Sequence, residues 1–256
     1  MKCFLFRLIE GCSLFDAQRE LEHLGLADLY SIEDDSSGEI LIGGFARQAI
    51  EPKTCYLTET KESIDWSEQW SQFAEDFREG KAHIDLARFG APHTILLLPG
   101  PGFGDLSHPT TYLMLELMAH SMKNEIVLDI GCGSGILSLA GLLMGAKSAY
   151  GIDIDDDALN HARQNAALNH LDQRVHFSRT LPTNQENSIV LINMILPEQQ
   201  TALKEIPTLP KKAKLWIASG FLKSQRAEAL SFCKELGLTL IEEKKKGEWL
   251  GFKFCR

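Results

Sequence analysis

Two patterns of hydrophobic and polar positions divide the chain. In the first 62 residues, short apolar runs alternate with polar segments, as expected of short strands. These runs occupy 2–10, 28–33, 39–45 and 54–58, with a turn predicted at 34–38. One amphipathic helix begins after Ser13, which forms a capping-box-like pair with Asp16. The pattern predicts a small α+β domain over 1–62.

An aromatic stripe marks the segment that follows. Four aromatic residues recur at i, i+4, i+7 and i+11: Trp66, Trp70, Phe73 and Phe77. This spacing places them on one face of a helix, and Asp65 is positioned to cap it. We predict a connecting helix over 63–80, whose aromatic face favours docking between domains over ligand binding.

From about residue 80 onward, apolar strands alternate with amphipathic helices, which indicates βαβ units and a parallel sheet over 81–256. Strands are predicted at 94–98, 125–130, 148–153, 174–178, 188–193, 214–218, 238–243 and 248–254. Helices are predicted from Pro109 and at 135–144, 156–169 and 223–236. The last two strands form a hairpin around Lys246–Gly247. Because βαβ crossovers are right-handed, a ligand site is expected at the carboxyl ends of the parallel strands.

A glycine-rich loop follows the apolar strand that ends in Asp129-Ile130. Its glycines are Gly131, Gly133 and Gly135. Glycines let the backbone turn sharply and approach a ligand closely. Asp129 precedes the loop and is expected to fix it through hydrogen bonds to the backbone. A tight strand–helix turn without a ligand remains the alternative.

An acidic residue completes this pattern. Asp153 lies 22 positions after Gly131, at the end of the next strand, where a carboxylate accepts hydrogen bonds from ribose hydroxyls. The glycine spacing departs from the dinucleotide pattern GxGxxG because position 136 is Ile, and no basic residue in or beside the loop would meet a pyrophosphate. These features favour a nucleoside without phosphates, and S-adenosylmethionine fits. Asp155, Asp156 and Asp157 are expected to cap the next helix.

Two further motifs flank this region. Upstream lies Phe103-Gly104-Asp-Leu-Ser-His108-Pro109-Thr110-Thr111, and downstream lies Asn193-Met-Ile-Leu196. With the glycine loop between them, these motifs resemble the PrmA family of class I methyltransferases, which methylates the stalk-base protein of the large ribosomal subunit. The resemblance covers roughly the last 190 residues. It departs from the family at Asp105 and Leu106, where Thr and Gly are usual.

The resemblance implies a fold and a set of site residues. The fold would be α/β, a Rossmann-like class I methyltransferase sheet of seven strands with an antiparallel C-terminal hairpin, preceded by a small α+β domain that recognises the substrate. That domain is short here, because only Gly44 to Lys53 is available for its second helix. The cofactor-binding residues would be Thr111, Asp129, Gly131, Gly133, Gly135, Asp153 and Asn193.

Asn193 and His108 are the candidate catalytic residues. Asn193 ends the fourth strand, where this superfamily places the residue that faces the methyl-accepting group; a structural role at the strand end is its alternative. His108 would position the acceptor or take up its proton, or it is a loop histidine bonded to the backbone ahead of Pro109. Asn193 is followed by the aliphatic Met-Ile-Leu196 and not by Pro-Pro-Tyr, whose aromatic ring would stack on a flipped base. This favours an amine acceptor over a nucleobase.

The composition restricts the classes of partner and the cellular location that are expected. The net charge of −9 argues against a sequence-independent grip on nucleic acid and is compatible with a basic protein partner, although an acidic surface also serves solubility alone. No apolar run reaches the roughly 20 residues that span a bilayer, and charge interrupts the start too soon for a signal peptide. The six cysteines show neither a metal-binding nor a disulfide pattern, which predicts no metal and a cytoplasmic location.

The predicted function is S-adenosylmethionine-dependent methylation of a lysine or α-amino nitrogen of a basic, ribosomal protein. Two alternatives share the same core. The acceptor is another protein, an RNA or a small molecule, or the chain is a non-catalytic homologue that binds the cofactor.

Overall fold

A computed structural model describes residues 2–33, 40–46, 48–61, 67, 70–71, 74, 76–104, 106, 108–182, 187–206, 209 and 213–256. The chain divides into two compact units, Met1–Asp65 and Trp66–Arg256. Several predicted features lie outside the described residues: the turn at 34–38, the cap at Asp65, the aromatic residues Trp66 and Phe73, and Asp105.

The first unit is a helix packed on an antiparallel sheet. Its elements are β1 (Lys2–Leu8), α1 (Leu14–His23), β2 (Ala27–Glu33), β3 (Ile40–Ala46) and β4 (Cys55–Lys61). The strands lie in the order β2-β3-β1-β4. Ala17 and Leu21 of α1 are buried in one core with Phe4 and Phe6 of β1. Ser13 caps the helix by accepting a hydrogen bond from the Asp16 N–H at 3.1 Å, as predicted.

The connection from β3 to β4 contains no helix among its described residues, 48–54. Glu20 of α1 secures it instead, because its carboxylate accepts hydrogen bonds from the N–H groups of Lys53 and Thr54. The same carboxylate accepts a bond from the Thr54 hydroxyl at 2.6 Å. These bonds lower the pKa of Glu20.

The second unit opens with a three-stranded antiparallel sheet that the sequence reading missed in part. Its strands are β5 (Phe77–Arg78), β6 (Lys81–Asp85) and β7 (Thr94–Leu97), in that order. The predicted connecting helix over 63–80 is therefore wrong at its end: Phe77 lies in a strand, and Glu79–Gly80 form a hairpin turn with positive φ angles of 53° and 71°. Trp70 is buried and contacts His161 of the same unit.

The main sheet has seven strands. They are β8 (Ile126–Ile130), β9 (Ser148–Ile152), β10 (Val175–Ser178), β11 (Ser188–Asn193), β12 (Ala213–Leu222), β13 (Thr239–Lys246) and β14 (Trp249–Cys255). Their order is β10-β9-β8-β11-β12-β14-β13, and all pairs are parallel except those that β14 makes with β12 and β13. The predicted fold, a class I methyltransferase sheet with an antiparallel C-terminal hairpin, is confirmed.

Helices cover both faces of this sheet. They are α2 (Pro109–Met118), α3 (Ile136–Leu143), α4 (Asp156–Leu168), α5 (Leu196–Glu205) and α6 (Arg226–Glu235), with 3-10 turns at Ala87–Phe89 and Lys223–Gln225. The helix α5 was not predicted. Alternate residues of β8 belong to different cores, Val127 to one and Leu128 to the other. No helix among the described residues is long and apolar enough to cross a membrane.

The strand order creates a switch point beside β8. The chain passes from β8 to β9 and β10 on one side, then returns to β11 and β12 on the other. The connections that follow the adjacent strands β8 and β11 therefore run in opposite directions, and this leaves a crevice at the carboxyl ends of the two strands.

Candidate active site

A cavity of about 1060 Å³ lies at this crevice. Five sequence-predicted residues line it: His108, Gly131, Gly133, Asp153 and Asn193. The start of the helix Pro109–Met118 and the ends of β8, β9 and β11 thus bring together residues that lie up to 85 positions apart in sequence.

The glycine loop is in close contact with its surroundings on two sides. Gly131 and Gly133 have positive φ angles of 70° and 51°. A Cβ at Gly133 would lie 2.7 Å from the Phe103 carbonyl oxygen, and one at Gly131 would lie 2.6 Å from the Met194 sulfur. Any larger side chain would therefore displace the wall of the cavity as well as strain the turn.

Asp153 follows β9 and faces the cavity. One of its carboxylate oxygens accepts the Gly133 N–H at 3.0 Å, and the other accepts the Asp155 N–H at 3.1 Å. Each oxygen retains a second lone pair for a ligand hydroxyl. Ile154, the next residue, is 84% exposed at the cavity wall. Asp155 caps α4 by accepting the Asp157 N–H, as predicted.

Among the described residues, Arg179 is the one Lys or Arg side chain that lines the cavity, although no basic residue lies in or beside the glycine loop in the sequence. It follows β10, so sequence distance hid it. Its guanidinium makes a two-bond pair with the Asp156 carboxylate, at 2.9 Å and 2.7 Å. This bond lowers the pKa of Asp156 and raises the pKa of Arg179. The positive charge of Arg179 is thus already paired with the carboxylate of Asp156.

Asn193 ends β11, and its amide oxygen is buried without a hydrogen-bond partner among the described residues. The carbonyl of the next residue, Met194, accepts a bond of 2.7 Å from the side chain of Gln199. Gln199 is buried on α5 and also donates to the Ser219 carbonyl at 2.9 Å. It therefore ties the segment after Asn193 to the end of β12. Sequence reasoning missed Gln199 because its helix was not predicted.

His108 lies between two aromatic rings. The ring centroids of Phe103 and Trp249 are 5.5 Å and 4.8 Å from that of His108, both edge-to-face. His108 also caps α2, since its Nδ1 accepts the Thr110 N–H at 3.4 Å and lies 2.8 Å from the Thr110 hydroxyl. The bond to backbone that we considered as the structural role is present, and the side chain also lines the cavity. Trp249 comes from the C-terminal hairpin and was not predicted.

Three predicted cofactor-binding residues lie behind the cavity wall, namely Thr111, Asp129 and Gly135. Thr111 is fully buried, and its hydroxyl has no partner among the described residues. The Asp129 carboxylate accepts bonds from the N–H and hydroxyl of Ser138 at 3.1 Å and 2.8 Å. Gly135 has φ 81° and lies so close to Phe177 that a Cβ would be 2.9 Å from its ring. Their direct contact with a ligand stays a prediction.

Comparison with known proteins fits this geometry. The family model described as "Ribosomal protein L11 methyltransferase (PrmA)" matches residues 20–256, which include the entire cavity lining. The chain belongs to this family. The PrmA match confirms the resemblance drawn from the three motifs, and it extends into the first unit.

Individual PrmA relatives are about one third identical to this chain. The ribosomal protein L11 methyltransferase of Thermoanaerobacter pseudethanolicus is 32% identical over 197 residues, covering 73% of this chain and 64% of the relative. That of Fusobacterium nucleatum is 36% identical over 168 residues, covering 63% and 54%. The chain therefore spans less than two thirds of the length of these relatives. The crystal structure of a ribosomal protein L11 methylase from Lactobacillus delbrueckii subsp. bulgaricus matches with TM-score 0.55 and 29% identity, over 62% of this chain and 83% of that one.

The buried Asp129 predicts an unusual dependence of stability on pH. Burial raises the pKa of this carboxyl to about 7; the bonds from Ser138 oppose the rise, and the charge of Asp153 adds to it. The folded state therefore holds the proton over a pH range in which the unfolded state has lost it. Since the side with more bound protons is favoured at low pH, this group's contribution to stability falls as pH rises from about 4 to 7.

Asp129→Asn should remove that dependence. The free energy of unfolding of the variant relative to wild type is expected to rise by about 2 to 3 kcal/mol between pH 5 and pH 8. Urea unfolding at several pH values measures this difference, with Asp172→Asn, an exposed carboxyl, as the control. A difference that does not change with pH would show that Asp129 ionises normally in the fold.

Proposed function

We propose that this chain is an S-adenosylmethionine-dependent protein N-methyltransferase that modifies a lysine or α-amino nitrogen of a ribosomal protein. One observation carries the proposal: the glycine loop, the Asp153 carboxylate and the Asn193 amide meet at one cavity beside the switch point of the sheet. Membership of the PrmA family and the names of the relatives support the activity and the acceptor.

The cavity residues fit the cofactor. Asp153 would hold the ribose hydroxyls, and the backbone of Gly131 and Gly133 would lie against the aminoacyl part. The exposed Ile154 and the nearby Leu181 offer apolar surface to a base. Arg179, the basic side chain of the wall, is paired with Asp156, so the wall suits a ligand without phosphates better than a dinucleotide.

S-adenosylmethionine supplies a methyl group on a sulfonium, and the chain must present a neutral amine to it. At pH 7 a lysine needs roughly 4.6 kcal/mol to lose its proton, while an α-amine needs about 1 to 1.5 kcal/mol. A desolvated site lowers the pKa of an amine without a strong base. We assign Asn193 to orienting the nitrogen, and His108 to positioning the acceptor or taking up its proton. Alignment would provide most of the rate.

The distribution of charge supports a basic protein as acceptor. Residues 1–65 contain thirteen acidic and six basic side chains, so this short unit carries seven of the nine net negative charges. An acidic surface attracts a basic partner and speeds its encounter. We propose that residues 1–62 recognise the protein substrate and that 81–256 bind the cofactor. We place the activity in the cytoplasm, in keeping with the cysteine pattern.

Calorimetry with S-adenosylmethionine tests the cofactor site. Asp153→Ala is expected to weaken binding by about 30-fold or more, because two hydrogen bonds to a charged acceptor are lost. Asp157→Ala, which removes an exposed carboxylate of α4 outside the cavity, is the control and should bind like wild type. Equal affinity of wild type and Asp153→Ala would refute the assignment of the ribose to Asp153.

Transfer of tritiated methyl groups to undermethylated ribosomes tests the acceptor. Label is expected in a protein band and should persist after nuclease treatment. A signal that nuclease removes would instead identify RNA as the acceptor and overturn the proposal. Mass spectrometry of the labelled protein then locates the modified nitrogen.

A further inference from the structure

Two side chains of α4 and that of its C-cap residue form a ladder along β7 and the segment that follows it. They are His161, Asn165 and Asn169, spaced four residues apart on one helix face. Asn169 exchanges two bonds with the backbone of Leu96, accepting at 2.9 Å and donating at 2.7 Å. Asn165 accepts the Leu98 N–H at 2.9 Å. The ladder thus runs from the strand toward the cavity.

His161 forms the last rung. Its Nε2 lies 2.7 Å from the Leu98 carbonyl oxygen, and its Nδ1 accepts the Gly102 N–H at 3.1 Å. A ring nitrogen that accepts from a backbone N–H carries no proton, so the proton is on Nε2, which donates to Leu98. The neutral imidazole therefore bridges the start and the far side of the loop 98–102.

The loop rests directly on this ring. A Cβ at Gly100 would lie 2.6 Å from Nε2, and one at Gly102 would lie 2.8 Å from Nδ1. On another side the ring meets the edge of Trp70, at 5.9 Å between centroids. Since His161 is only 3% exposed, it is a buried support under the loop and does not line the cavity.

The supported loop forms part of the cavity wall. Pro101, Gly102 and Phe103 all line the cavity. Beyond Gly102 the loop is bonded to the glycine loop, since the Ser134 N–H donates to the Phe103 carbonyl at 3.0 Å and its hydroxyl donates to the Gly104 carbonyl at 2.9 Å. The position of this wall thus depends on His161 at one end and on Ser134 at the other.

We propose that His161 is a positioning residue that holds the loop 98–102 in the conformation that binds the cofactor. This inference rests on the proposed function, since it assigns S-adenosylmethionine as the ligand of the wall. His161 acts through the loop and touches neither cofactor nor acceptor. A proton added at Nδ1 would turn the acceptor of the Gly102 N–H into a donor and release the loop.

The surroundings of His161 favour the neutral ring. Burial lowers the pKa of His161. The hydrogen bond to the Leu98 carbonyl raises this pKa, but its effect is smaller than that of burial. The described groups whose contacts with the ring are known are uncharged: the Leu98 carbonyl, the Gly102 N–H and the Trp70 indole. On α4 the nearest charged positions are Asp157 and Arg163, both exposed. Protonation in the folded state is thus expected below the ordinary range for histidine.

Three variants separate positioning from general stability. His161→Leu removes both bonds, and His161→Gln keeps one donor and one acceptor without titrating. Asn169→Leu removes the two bonds to Leu96, but leaves the loop contact intact. Calorimetric binding of S-adenosylmethionine and hydrogen exchange of the Gly102 amide are measured from pH 4 to pH 8. The second readout needs no ligand.

As pH falls below the pKa of His161, the wild-type Kd for S-adenosylmethionine is expected to rise by up to about tenfold per pH unit, as for one linked proton. The protection of the Gly102 amide from hydrogen exchange should be lost over the same pH range. His161→Leu should bind about tenfold more weakly at pH 7, without this acid dependence. His161→Gln should restore most of the affinity and stay independent of pH, while Asn169→Leu should follow the wild-type profile. Wild-type affinity and pH dependence in His161→Leu would overturn the inference, whereas absence of binding in wild type would overturn the proposed function itself.

Discussion

Asn193→Ala is expected to lower kcat for methyl transfer by about 100-fold or more, with the affinity for S-adenosylmethionine changed by less than about threefold. The side chain ends β11 at the cavity, and its buried amide oxygen has no partner among the described residues. An unpartnered buried oxygen costs free energy that a ligand donor would recover. Alanine removes the group that orients the acceptor, but leaves the loop and the Asp153 carboxylate that would hold the cofactor.

Single-turnover transfer to undermethylated ribosomes measures the chemical step, and calorimetry measures cofactor binding separately. Asn160→Ala is the matched control, because it makes the same change on the exposed surface of α4, away from the cavity. Unchanged turnover in Asn193→Ala would remove Asn193 from the mechanism. A parallel loss of cofactor binding would reassign Asn193 to the cofactor site.

Gly220→Ala is expected to destabilise the fold by about 3 kcal/mol or more. Gly220 interrupts β12 with φ +99°, and an added Cβ would overlap the Met194 carbonyl oxygen. That carbonyl is held by Gln199, which is itself buried, so neither group can move away at low cost. The overlap would also displace the segment after Asn193, and transfer is expected to fall by more than about tenfold.

Gly237→Ala separates strain from overlap. Gly237 has a similar φ of +76°, but an added Cβ would meet nothing within 4 Å. Its substitution should therefore cost only the strain of a left-handed residue, about 1 to 2 kcal/mol. Urea unfolding of both variants compares the two costs. Equal destabilisation would show that the contact between Gly220 and Met194 does not constrain the site.

The alternation of strands and helices from residue 94 onward could be predicted, apart from the helix α5, because the other elements there have strong local patterns. The glycine loop and Asp153 were found for the same reason, as a short motif and a fixed spacing. The strands β5 and β6, which precede residue 94, were not predicted. Four aromatic residues at helical spacing favoured a helix through Phe77, whereas Glu79–Gly80 make a two-residue turn that pairs β5 with β6. Because a short strand contains few buried residues, its two-residue period is weak, and the helical spacing of the aromatic residues determined the prediction.

The missed side chains share one property. Gln199, Trp249 and His161 act through contacts with residues at least 20 positions away or with a ring from another element. Gln199 is a polar residue on a helix face, and nothing in its neighbourhood in sequence distinguishes it from an exposed one. Arg179 illustrates the same difficulty, because its pairing with Asp156 decides whether its charge is available to a ligand.

The resemblance to the PrmA family pointed to Asn193. By itself, the sequence determined the class of fold, the place of the ligand crevice and Asp153 as one of the polar residues of that crevice. These follow from the period of apolar residues and from the backbone freedom of glycine, both of which are local properties. Only the tertiary structure decided which predicted residues reach the cavity, because Thr111, Asp129 and Gly135 belong to the same motifs and still lie behind its wall. Burial and hydrogen-bond partners depend on the three-dimensional crossing of elements, which no local pattern encodes.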